Sequence, residues 1–257
     1  DVYKRQVFPV PDGDTGTNMM LTMQSAFDEI ENSPEVHAGK MLGSIAQGAL
    51  MGARGNSGVI LSQIWRGIAS ALKDDPVLTG EGLAKAFASA RDTAYKGVVR
   101  PVEGTILTVV KDVAAATEKA VNRTDDPIEL LELAVEAAGE SVERTPELLP
   151  VLKEAGVVDS GGKGLFFLLE GMTRWINGQP LDVPLAEVKP LDALKLDHTM
   201  SEVEEGQDFE IVVDFRPSQG FDLESFYAGL EEMGTSIQVG EGCLLYTSDA
   251  ADEEDSV

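Results

Sequence analysis

Met41-Leu42-Gly43-Ser44-Ile45-Ala46-Gln47-Gly48-Ala49-Leu50 leads through Met51-Gly52-Ala53-Arg54-Gly55-Asn56-Ser57-Gly58 into Val59-Ile60-Leu61-Ser62-Gln63-Ile64-Trp65-Arg66-Gly67-Ile68. The opening part carries apolar residues at Met41, Ile45 and Ala49, beside Leu42, Ala46 and Leu50, an i, i+4 stripe. The closing part repeats the pattern at Ile60, Ile64, Ile68 and Leu72. The glycines and Asn56 between them suit the end of one helix and the start of another. The stretch predicts helix, tight turn, helix.

The same period extends outward. Leu83, Phe87, Ala90, Ala94 and Val98 form a third stripe, and Ile106, Val109, Val110 and Val113 open a fourth. Ile128, Leu131, Val135, Ala138 and Val142 make a fifth. Leu165, Leu168, Leu169, Met172 and Ile176 make a sixth. No segment here alternates as a strand, so an all-α domain is expected over residues 7–180, opened by a loop from Val7 to Asn18. Pro180, Pro184 and Pro190 mark a linker over 181–190. Phe209-Glu210-Ile211-Val212-Val213-Asp214-Phe215 then has strand composition, Phe221 to Met233 has helical composition, and Ser236 to Val239 suits a further strand. Residues 191–242 are expected to begin a small α+β domain. No internal repeat is visible.

Composition narrows the function. The chain has 257 residues, 43% of them hydrophobic, enough for a substantial core. A formal charge of −25 repels nucleic acid and anionic membranes. The lone cysteine, Cys243, allows no internal disulfide. No apolar run approaches the roughly 20 residues of a membrane span, and a reducing, cytoplasmic compartment is the expectation. Asp1-Val2-Tyr3-Lys4-Arg5-Gln6 resembles a translated sequencing adapter, and residues 243–257 resemble its reverse complement or a disordered acidic tail. Both are set aside from fold reasoning.

Several clusters can carry chemistry. In Pro9-Val10-Pro11-Asp12-Gly13-Asp14-Thr15-Gly16-Thr17-Asn18, two carboxylates flank a glycine ahead of a helix. Such a pair can share a hard cation that bridges to phosphates, or it forms a tight turn with Asp14 or Thr17 as N-cap. A calcium loop is excluded, because Met23 stands where the twelfth-position glutamate belongs. In Gly52 to Gly58, small residues let backbone N–H groups approach an anion at a helix start, and Asn56 or Ser57 can cap or bind phosphate. A plain helix-to-helix turn is the alternative. Gly156-Val157-Val158-Asp159-Ser160-Gly161-Gly162-Lys163-Gly164 fails the P-loop spacing, leaving a nucleotide loop or a connector. Thr105 opens the helix at Ile106, where simple capping is the favoured role. His37 suits a helix start, and His198 lies in the linker region. Neither has a Ser or Cys partner for a hydrolase triad.

Taken together, the runs Val7 to Met19, Gly52 to Gln63 and Gly156 to Gly164 resemble, in order, the metal loop, phosphate-side loop and later nucleotide loop of one family. That family is the nucleotide-binding kinase domain of bacterial fatty acid kinases, related to the ADP-binding subunit of dihydroxyacetone kinase. The resemblance covers about Val7 to Pro180 well and Leu191 to Gly242 more weakly. It implies a barrel of antiparallel helices binding ATP or ADP at one end, with Mg²⁺ between aspartates and phosphates. Asp12 and Asp14 would be the Mg²⁺ ligands and catalytic residues. Thr15, Gly16, Asn18, Gly55, Asn56, Ser57, Gly58, Thr105, Asp159 and Gly161 would contact or shape the nucleotide pocket. The acceptor would be a fatty acid presented by a separate binding protein, and the product an acyl phosphate. A homodimer through a region C-terminal to this sequence is also implied.

The chain departs from the pattern at its start. The family carries a helix before the Pro-x-Pro-Asp loop and a further acidic ligand, and Gln6 stands where it has asparagine. A missing wall of the barrel and an inactive fragment are therefore expected. Thr15, where the dihydroxyacetone kinase subunit has histidine, and the region after Pro180 favour the fatty acid reading. The alternatives are a dihydroxyacetone-kinase-like phosphotransfer subunit and a non-catalytic nucleotide-binding regulator.

Overall fold

The computed structural model describes residues 14–181 and 221–233. Their elements are α1 (Thr15–Asp28), α2 (Ala38–Met51), α3 (Gly55–Leu72), α4 (Gly80–Lys96), α5 (Ile106–Ala120), α6 (Pro127–Leu148), α7 (Pro150–Ala155), α8 (Ser160–Ile176) and α9 (Leu223–Met233). No β-strand occurs among the described residues. The all-α expectation holds. α9 falls within the helix expected after Phe221, while the two expected strands lie outside the described residues.

Short connections force neighbouring long helices to run antiparallel. Gly39 of α2 meets the end of α3 at Leu72, and Gly82 at the start of α4 meets Leu72 from the other side. Gly104, just before α5, meets Thr145 and Leu149 at the end of α6. Gly139 of α6 faces Phe166 of α8, and Gly164 of α8 faces Met19 of α1. Neighbour follows neighbour from α1 through α6 to α8, and α8 packs back on α1 across the smallest of these seams, so the described helices form a ring rather than the expected barrel with a missing wall. The short α7 belongs to the α6–α8 connection, so α8 runs in the direction of α1, α3 and α5.

The apolar stripes supply the core. Leu61, Ile64, Trp65 and Leu72 of α3, Phe87 and Ala90 of α4, Val109, Val110 and Val113 of α5, and Ala134, Ala138 and Val142 of α6 are buried. α3 turns buried residues in several directions, Ser62 and Gln63 included, because α1, α2 and α4 all pack on it. Small residues at the contacts bring helix axes close: Gly67 sits against the backbone of Ala90.

Further expectations need correction. The opening loop does not extend to Asn18, since α1 begins at Thr15. Its polar, glycine-containing first turn, Thr15 to Asn18, lacks a stripe of its own and becomes helical by packing on α3. Ile128 is 42% exposed rather than core. It lies in the first turn of α6, and Leu130 and Leu131 turn inward in its place. Ile176, the last residue of α8 and the end of the sixth stripe, is likewise exposed.

α6 continues to Leu148 although Pro146 lies inside it. Proline has no N–H to give the carbonyl four residues back. The Thr145 hydroxyl donates to that carbonyl, Val142 O, at 2.7 Å. The same hydroxyl accepts the Asp159 N–H at 3.0 Å, which ties the end of α6 to the start of α8.

Candidate functional site

Alternating direction places the starts of α1, α3, α5 and α8 at one end of the barrel. Each helix start presents backbone N–H groups without intrahelical partners and the positive end of the helix dipole. The contacts at this end join the starts in pairs. α1 pairs with α3, and α5 pairs with α8.

In the α1–α3 pair, Asp14 occupies the N-cap position of α1 but makes no side-chain cap hydrogen bond. Its carboxylate instead accepts from Asn18 Nδ2 at 2.7 Å. Gly55 approaches Asn18 closely from the other side, since a Cβ there would lie 2.4 Å from Nδ2. Gly55 has φ +55°, a left-handed conformation that glycine adopts at little cost. Arg54 is the N-cap of α3 and likewise provides no side-chain cap. The Asn56 and Ser57 side chains are half-exposed beside it, and Gly16 lies exposed at the start of α1. Fully buried Thr22 links the two helices: its hydroxyl donates to Asn18 O at 2.8 Å and accepts the Arg54 N–H at 3.2 Å.

The α5–α8 pair is built differently. Thr105 caps α5, accepting the Leu107 N–H at 3.3 Å and donating to Val102 O at 2.8 Å. Asp159 caps α8, accepting the Gly162 N–H at 2.6 Å. Its carboxylate also accepts the Ile106 backbone N–H, so one side chain serves both helix starts. It is 7% exposed. Burial pushes its carboxyl up to about 6, with the two N–H groups opposing. Gly161 lies beside it, within van der Waals reach of Ile106.

The turn before α5 is pinned as well. Glu103 accepts from Lys111 Nζ at 2.6 Å, the Thr108 hydroxyl at 2.7 Å and the Tyr95 hydroxyl at 3.0 Å. Burial opposes its charge, but these donors outweigh burial and hold its carboxyl below the usual range. Burial and the Glu103 carboxylate together push the Tyr95 phenol up. The Thr108 hydroxyl also accepts the Gly104 N–H, fixing that glycine at φ +84°.

The structure therefore brings Asp14, Thr15, Gly16, Asn18, Gly55, Asn56, Ser57, Gly58, Thr105, Asp159 and Gly161 to one end of the barrel. Asp12 lies outside the described residues. Among the described residues, no three histidine, cysteine, aspartate or glutamate side chains gather to hold a metal ion. Asp14 has the hard-oxygen chemistry that Mg²⁺ takes. Sequence reasoning missed Thr22, whose only signal was a threonine one turn beyond Asn18. His37, expected at a helix start, caps α2 by accepting the Lys40 N–H at 3.4 Å. No described helix is long and apolar enough to cross a membrane.

The DAK2 domain family matches residues 9–174. An uncharacterized protein of Staphylococcus aureus strain USA300 is 43% identical over 240 residues, 91% of this chain and 44% of its own length. Its counterparts in strains NCTC 8325 and MRSA252 match with the same identity and coverage. The chain thus spans less than half the length of these relatives. The kinship with the nucleotide-binding subunit of dihydroxyacetone kinase, expected from the motifs, holds at the level of the family. On the family match and on these relatives together, the chain belongs to the DAK2 domain family.

Proposed function

We propose that this domain binds Mg²⁺ and ATP at the end of the barrel where the helix starts gather, and that it transfers the γ-phosphoryl group to a carboxylate. The observation that carries the reading is the α1–α3 pair, in which two adjacent helix starts lack side-chain caps from their N-cap residues beside the Asp14 carboxylate. Uncapped N–H groups and helix dipoles are suited to phosphate oxygens. Asp14, with Asp12, is suited to the cation that neutralises them.

The roles divide accordingly. Asn18 orients Asp14. The starts of α1 and α3, with Thr15, Gly16, Asn56 and Ser57, receive phosphate oxygens. Thr105, Asp159 and Gly161 hold the opposite wall. In the transfer an acceptor carboxylate oxygen attacks the γ-phosphorus. The bond to the β–γ bridging oxygen breaks, and ADP leaves with the electron pair. A carboxylate is already a nucleophile, so catalysis here is positioning and charge stabilisation. The acceptor we propose is a fatty acid held by a separate binding protein, giving an acyl phosphate. Thr15 in place of histidine after the Asp-Gly-Asp run favours this over a dihydroxyacetone acceptor.

Calorimetric titration of ATP with and without Mg²⁺, followed by phosphoryl transfer to a fatty acid on its carrier, tests the proposal. Micromolar, Mg²⁺-dependent binding with acyl phosphate formation is expected. Binding without transfer would make the domain a nucleotide-binding regulator, and absence of binding by the folded protein would remove the nucleotide reading.

A further inference from the structure

We infer that Thr22 is the positioning residue that couples the aspartate-bearing start of α1 to the glycine loop opening α3. The inference deepens the nucleotide reading above and rests on it. Thr22 touches neither ligand position. It lies fully buried, about two turns inside α1, beyond the more exposed first turn.

Three contacts converge on its hydroxyl. It donates to Asn18 O at 2.8 Å, holding the backbone of the residue whose amide orients Asp14. It accepts the N–H of Arg54, 32 residues away, at 3.2 Å. Arg54 directly precedes Gly55, whose left-handed conformation turns the chain into α3 against the Asn18 amide. Gly58 keeps the approach open, since a Cβ there would lie 2.4 Å from the Thr22 oxygen. A single hydroxyl thus sets the distance between the two uncapped helix starts.

Of the other buried threonines, Thr145 bridges the end of α6 to the start of α8 in the same way, but no other joins α1 to α3. Thr117, equally buried, donates only to Val113 O and Ala114 O within its own helix. Removing its hydroxyl leaves no N–H without an acceptor. Removing that of Thr22 leaves the part-buried Arg54 N–H without this acceptor.

The test uses Thr22→Val, which keeps the shape and loses the hydroxyl, and Thr22→Ser, which keeps the hydroxyl and loses a buried methyl. Thr117→Val is the control. Each variant is measured for Mg²⁺-dependent ATP affinity by calorimetry, for thermal stability, and for amide exchange over residues 53–58. Thr22→Val should weaken ATP binding at least tenfold and speed exchange at Arg54 to Ser57. Thr22→Ser should bind within threefold of wild type even where it melts lower. Thr117→Val should bind as wild type. This crossing of affinity against stability is what a merely structural threonine would not produce. A folded Thr22→Val with wild-type affinity, or a Thr22→Ser that binds as poorly as Thr22→Val, would overturn the assignment while leaving the nucleotide reading standing. Wild-type protein that binds no ATP would remove both.

Discussion

The α1–α3 and α5–α8 pairs meet at the same end of the barrel and are both built from parallel helix starts, yet they are finished in opposite ways. In α5–α8, Thr105 and Asp159 satisfy N–H groups internally, and the carboxylate that joins the helices is buried. In α1–α3, Asp14 and Arg54 leave the helix starts without side-chain caps, and the Asp14 carboxylate is exposed. A helix start that caps itself contributes to stability. One that does not has donors available for a ligand. Under the proposed function, the difference gives support to one pair and binding to the other.

A matched pair of charge removals strains that division most. Asp14→Asn should weaken Mg²⁺-dependent ATP binding on the order of 100-fold, about 3 kcal/mol, with the melting temperature nearly unchanged. Asp159→Asn should leave affinity within about threefold, since its carboxylate is engaged by Gly162 and Ile106. Calorimetry on both variants checks the pair, and reversed outcomes would exchange the roles of the two halves.

The buried carboxylate predicts a pH dependence. In the folded protein Asp159 titrates at about 6, above the ordinary 3.8. Folding therefore favours its protonated form. The stability this contributes is complete below pH 3.8 and is lost as pH rises through 6. Between about pH 4 and pH 7, wild type should lose up to about 3 kcal/mol relative to Asp159→Asn, which has no proton to release. Urea denaturation of both proteins across that range would show it. Parallel curves would mean that Asp159 is more solvated than its cap geometry requires.

Packing sharpens the contrast at smaller scale. A methyl on Gly58 would press on the Thr22 hydroxyl at 2.4 Å, whereas one on Gly161 would meet Asp159 Oδ2 at 3.3 Å and Ile106 at 3.4 Å. Gly58→Ala should cost about 1–3 kcal/mol in denaturant melts, and Gly161→Ala less than about 1 kcal/mol. Last, Thr105→Ala should cost about 1 kcal/mol as a lost N-cap and leave ATP affinity unchanged. A tenfold loss of affinity in Thr105→Ala would move that hydroxyl from support to ligand.

Much of the architecture was legible from local pattern. The stripes through Ile64, Phe87, Val110, Ala138 and Leu169 located the long helices α3, α4, α5, α6 and α8, because burial of one face imposes the 3.6-residue period. α1 was harder to read. Met20, Leu21 and Phe27 are exposed while Thr22 is buried, so its composition conceals its inward face. The loops were legible as glycine-rich helix starts, but not which of them would cap themselves.

By itself the sequence determined a helical chain of the DAK2 domain family, with glycine and aspartate loops between apolar stripes. These are local properties, set by side-chain period and by backbone freedom. Tertiary structure alone decided that the starts of α1, α3, α5 and α8 share one end, that Asp159 reaches the Ile106 N–H across helices, and that Thr22 reaches the Arg54 N–H 32 residues away. Hydrogen bonds of that kind depend on how two helices are set against each other. That setting is fixed by close approach at Gly55 and Gly58 and by the closure of α8 onto α1, which no single stretch of sequence contains.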